Sequence, residues 1–151
     1  MTAPTLSPLT TPAPPARPAA TWTDLITAVR EAGQYPTRTE AERVTRIVLA
    51  ALGGHVTGDE RVALAQALPD EAARIIAAQV PAGRPLTALE FVDSIAARTE
   101  GATPATARWD VSSVLSALPP LLGTTLVDDI LRRLPQGYAL LFGRAELGAR
   151  A

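Results

Sequence analysis

Val48-Leu49-Ala50-Ala51-Leu52 and Val114-Leu115-Ser116-Ala117-Leu118 are the two stretches that decide the fold. They lie 66 positions apart, and the same offset carries the apolar residues Leu25, Ile26 and Val29 onto Phe91, Val92 and Ile95. It also carries Leu68-Pro69 onto Leu134-Pro135, and Ala73, Ile75 and Ile76 onto Ala139, Leu141 and Phe142, without a gap. Few pairs are identical. The matches concentrate at apolar positions three and four residues apart, the spacing of one helix face, and at a single proline joint, which is where a shared fold constrains sequence.

Working outward, each copy divides into four helical stretches. The first copy has Trp22, Leu25, Ile26 and Val29 behind a Thr21 cap with Asp24 three residues on, and Gly33 ends that run. Thr39 with Glu42 offers a cap for the second helix, which runs through Val44, Val48 and Leu52 to Gly53-Gly54. Thr57 with Glu60 opens a third, and Pro69 stops it while suiting the first turn of a fourth with Ile75 and Ile76. In the second copy Thr87 with Glu90, Thr103 before Pro104, and Thr125 with Asp128 are the corresponding caps. The predicted fold is therefore all-α, with two tandem four-helix repeats, 21–79 and 87–144, joined by a linker at 80–86 and packed into one helical domain. A unit of about 60 residues is only marginally stable alone, so the two copies are expected to share a core. Leu68, Pro69, Leu134 and Pro135 are the expected structural joints. Residues 1–20, with six prolines and the single charge Arg17, read as a disordered tail, and 145–151 as a second short tail.

Composition limits the chemistry. The 151-residue chain has 14 basic and 15 acidic residues, one histidine, and neither cysteine nor lysine. Its near-zero net charge supplies no field for a polyanion. Without cysteine or lysine there is no thiolate nucleophile, cysteine-rich zinc site, phosphate-loop lysine or Schiff base. No apolar run reaches the length of a membrane span and no leader pattern is present, so a cytoplasmic protein is expected.

The runs Ala41 to Leu52, Ala67-Leu68-Pro69-Asp70-Glu71, Glu90-Phe91-Val92 and Arg133 to Phe142 resemble the bacterial DUF2267 family over roughly Trp22 to Gly143. In that family two helical repeats each end in a Gln-Leu-Pro joint followed by a short helix; here Ala67 and Arg133 stand where the glutamine is usual. The resemblance implies the architecture. It implies no reaction, cofactor or catalytic residue.

Individual side chains add little chemistry. His55, following Gly53-Gly54 with no ligand pattern beside it, reads as an exposed loop residue. Asp110, Glu90, Asp128 and Asp129 would form an acid–base cluster only if folding brought them together. The segment Arg43 to Leu68 has the outline of a helix-turn-helix, but its second helix opens Gly58-Asp59-Glu60, with carboxylates where phosphate contacts are needed. Trp22 is expected in the core. Trp109, between Arg108 and Asp110, and Tyr138 are the candidate partner-facing residues. The expectation is a protein that is not an enzyme, holds no cofactor or metal, and works by contact with a protein partner or a second copy of itself. A carrier of a small apolar ligand between the repeats is the alternative.

Overall fold

The computed structural model describes residues 20–84 and 86–144; the proline-rich tail and the C-terminal tail expected from the sequence lie outside them. Among the described residues the regular structure is entirely helical: α1 (Trp22–Gly33), α2 (Arg38–Gly53), α3 (Gly58–Ala67), α4 (Asp70–Ala77), α5 (Ala88–Arg98), α6 (Pro104–Leu115), α7 (Pro119–Leu122), α8 (Thr124–Arg133) and α9 (Tyr138–Leu141). No helix among them is long and apolar enough to cross a membrane.

Helix starts follow local chemistry. Thr21 and Thr87 form the expected capping boxes with Asp24 and Glu90, and Thr103 caps α6 with Pro104 at the first helical position. Three expected caps differ. The cap of α2 is Thr37, whose hydroxyl accepts from the Glu40 amide, so Thr39 lies inside the helix and Glu42 is free to bond elsewhere. Thr57 precedes α3 but makes no side-chain cap. At α8 the cap position is Gly123, which at φ +88 turns the chain in a conformation disfavoured for other residues; Thr125 is one residue inside the helix.

The two joints share one geometry. Leu68 (φ −92, ψ 156) and Leu134 (φ −94, ψ 153) are both extended, because a following proline excludes the helical region. Both side chains are buried. Pro69 sits at the cap position of α4, one residue before the first turn where the sequence had suggested it. After Pro135 the pattern departs further: Gly137 takes φ +100, and the last helix begins only at Tyr138. The local cause is a size difference, since the core position filled by Ala72 in the first half is filled by Tyr138 in the second. One more single-turn helix than expected, α7, starts at Pro119-Pro120, where the first half has the turn following Gly53.

The core sits between α2 and α6. These helices touch each other, α1 packs on α6, α5 packs on α2, and α3 packs on α8, so each half covers the central helix of the other. Leu25, Ile26, Val29, Phe91, Val92, Ile95, Val48, Leu49, Val114 and Leu115 are all buried there. The chain between the halves is pinned as well, with the Ala82 amide donating to Gly54 O at 2.8 Å. A single guanidinium fastens the lower half: Arg61 donates to the carbonyls of Gly53, Val56 (3.2 Å), Ile76 (2.8 Å) and Gln79 (2.7 Å), tying together the ends of α2 and α4, where carbonyls lack intrahelical partners. Because both halves contribute to one core, calorimetry should show a single unfolding transition. Leu134→Ala should destabilise the whole domain by about 2–5 kcal/mol, and Pro135→Ala by much less; two separate transitions would refute the shared core.

Candidate functional site

The best-defined polar cluster lies where α1 and its following loop meet α6. Gly33 is the last residue of α1, and a Cβ there would come within 2.2 Å of the Tyr35 ring and 2.7 Å of Ser113 Oγ. The absent side chain is therefore required for packing. The helix ends at Gly33 as expected, and the left-handed turn that follows is taken by Gln34 at φ 56. With the backbone this close, the Trp109 indole N–H donates to Gly33 O at 2.9 Å. The Tyr35 hydroxyl donates to Asp110 Oδ1 at 2.6 Å, and Arg30 fixes the loop by donating to Tyr35 O (3.2 Å) and Pro36 O (2.8 Å).

This arrangement sets the electrostatics. Burial pushes the Asp110 carboxyl above its ordinary range, an effect that the Tyr35 hydroxyl and the Arg43 guanidinium only partly offset. Tyr35 is raised too, first by burial and then by its bond to Asp110, so it stays neutral and donating at ordinary pH. Ser113 turns its hydroxyl back to Trp109 O at 2.7 Å, a bond within its own helix. The result is a hydrogen-bonded strut between the two halves. No activated nucleophile emerges from it, since the tyrosine is held in its protonated form.

The other sequence candidates are dispersed. Asp128 pairs with Arg144 at 2.6 Å, Asp129 with Arg132, and Glu90 closes its capping box and faces Arg84 at 3.5 Å, so the four carboxylates do not meet. Among the described residues no group of three histidine, cysteine, aspartate or glutamate side chains could hold a metal ion. His55 is not an exposed loop residue as expected: it is half-buried, with Nδ1 at 2.9 Å from Ala51 O, and its ring stands edge-on to Phe91. Phe91 in turn stands edge-on to Tyr138, giving an aromatic chain across the seam. Tyr138 is correspondingly no partner-facing residue. It is 1% exposed, and its hydroxyl donates to Leu86 O at 2.9 Å.

The cations of the helix-turn-helix outline are engaged. Arg61 holds carbonyls, Arg43 pairs with Glu40 at 2.5 Å, and Arg46 pairs with Glu71 at 2.8 Å. Trp22 is half-buried rather than fully in the core, since its indole N–H donates to Glu42 Oε2 at 2.8 Å and Arg46 lies over its ring. That indole, together with Arg46, holds the Glu42 carboxyl below its usual range. Trp109 alone of the two candidate contact residues is at the surface, 54% exposed. A shallow concavity of about 460 Å³ lies along α1, lined by Ile26, Thr27, Arg30, Glu31 and Gln34 with Tyr35 and Arg38; Trp109 is not part of its lining.

Residues 22–141 match a family model described as "Uncharacterized conserved protein (DUF2267)". No curated protein matches the chain.

The strut makes a signed prediction. An acid raised in the folded state stabilises the fold below its unfolded pKa of about 4, and that contribution is lost as pH rises through the folded value. Asp110→Asn keeps the oxygen that accepts from Tyr35 and removes the charge. Denaturant titrations should therefore find the variant at least as stable as the parent at pH 7, with a flatter decline in stability above pH 4. Tyr35→Phe strands the carboxylate and should cost about 1–3 kcal/mol.

Proposed function

The chain belongs to the DUF2267 family of uncharacterized conserved proteins, and from that premise we propose that it is a non-enzymatic helical module acting by protein contact in the cytoplasm. The observation that carries this reading is Trp109. An indole bonded through its N–H to Gly33 O and still 54% exposed is a large apolar surface held in one orientation. Such a side chain loses little conformational freedom on binding, which is why tryptophans dominate the energetics of protein interfaces. The polar groups around it support the same reading, because Tyr35, Asp110 and Ser113 spend their hydrogen bonds inside the fold. A polyanion is a poor partner for this surface: the chain's net charge is −1 and its arginines are largely paired with carboxylates or carbonyls.

The partner is a protein with an apolar recess, or a second copy of this chain offering its own α1–α6 seam. Sedimentation of the purified protein, alone and with material co-purifying from its own host, tests this. Trp109→Ala should weaken the complex by 30-fold or more, equivalent to about 2 kcal/mol, while helicity is kept. A strictly monomeric protein whose complexes are indifferent to Trp109 would overturn the proposal.

A further inference from the structure

The end of α2, the end of α4 and the chain that leaves toward the second half meet around one side chain. Gly53 lies so close to α4 that a Cβ there would come within 2.9 Å of Gln79 Cγ and 3.0 Å of Ile76 O. Into this junction α3 sends Arg61, half-buried and in none of the ion pairs among the described residues. Its Nη1 donates to Gly53 O and to Val56 O (3.2 Å), its Nη2 to Ile76 O (2.8 Å) and Gln79 O (2.7 Å). Each terminal nitrogen of a guanidinium carries two N–H groups, so the four carbonyls use all of them, in two pairs. Charge matches as well: the C-terminal end of a helix carries about half a negative elementary charge, and two such ends face one cation.

The second half closes the same junction without a cation. At the offset of 66, Arg61 corresponds to Val127, a fully buried residue, and Gly53 to Pro119. Pro119 O accepts from the Gly123 amide at 2.9 Å, and Leu118 O from the Leu121 and Leu122 amides at 2.9 and 3.0 Å, because the chain there winds on into α7. In the first half Gly53-Gly54 stop the winding, and carbonyls from two helix ends are left converging. Carbonyls grouped in pairs around two nitrogens suit a planar fork. A spherical metal ion needs them aimed at one point, and an ammonium has only three donors on a single nitrogen.

We propose that these four carbonyls form a guanidinium site, occupied by Arg61 from within the chain, and that its occupancy holds the start of the inter-half chain on the end of α2. Gln79 O is one of the four acceptors, and three residues on the Ala82 amide donates to Gly54 O at 2.8 Å, next to Gly53. With the site filled, the chain leaves α4 in one fixed direction. With it empty, the carbonyls face one another without a cation, and their repulsion pushes the ends of α2 and α4 apart.

Removing the side chain and returning its head group tests this on the full chain. Arg61→Ala should speed hydrogen exchange at the Ala82 amide about tenfold or more, since that bond then opens locally. Guanidinium chloride at millimolar concentration, far below denaturing levels, should restore the protection, while ammonium, potassium and sodium chlorides at the same concentration should not. Arg61→Lys should behave as the alanine variant does, because its ammonium reaches fewer of the carbonyls. The Gly123 amide on Pro119 O, the counterpart in the second half, should respond to neither change. If Arg61→Ala does not fold, recovery of helicity by guanidinium and not by ammonium is the equivalent result. Restoration by every cation alike would overturn the guanidinium character of the site, and unchanged exchange at Ala82 would overturn the role of its occupancy. Guanidinium without effect on either variant would overturn both.

Discussion

Everything in this protein depends on the mutual burial of α2 and α6. Each is the central helix of its own half, and each is roofed by the first helix of the other half, α5 over α2 and α1 over α6. Each half, at about 60 residues, would be marginal alone, and here its core is completed by helices of the other. The arrangement has the reciprocity of a two-fold dimer interface, realised within one chain. The joints, the caps and the Arg61 clamp hold the outer helices in the positions from which they can complete that core.

The demand for close approach explains the details at the seam. Gly33 lets α1 come near enough to α6 for an indole to reach its carbonyl and for the Tyr35 ring to pack across it. The same proximity removes Asp110 from water, so its carboxyl is pushed upward and depends on one phenolic donor. A partly desolvated carboxylate is an expensive way to join two helices.

Much of the fold was legible because its signals are local. Helix spans, the Leu-Pro joints and the Thr21, Thr87 and Thr103 caps are written in residues within four positions of one another, as is the apolar spacing that repeats at an offset of 66. What the sequence did not show depends on residues far apart. Tyr35 meets Asp110 across 75 positions, and Trp109 meets Gly33 across 76. Gly33 therefore reads as a helix terminator when its role is to make room. Tyr138 reads as a surface aromatic because a tyrosine four residues from the end of a helical run carries no mark of Leu86, its hydrogen-bond partner 52 positions away. His55 reads as an exposed loop residue for the same reason, since nothing near it in sequence marks Phe91 of the other half, which stands edge-on to its ring.

The reciprocal seam has a consequence for how the chain assembles. Every contact that α1 makes with α6, or α5 with α2, could equally be made with the same helix of another molecule. What favours closure within one chain is the short stretch between Ala77 and Ala88, fastened by the bond from Ala82 to Gly54, which keeps the two halves together far more effectively than free diffusion would. That stretch is accordingly an assembly determinant. Stiffening or shortening it until the halves could not fold back would favour an exchanged pair of chains, with the core unchanged and only its ownership divided between them.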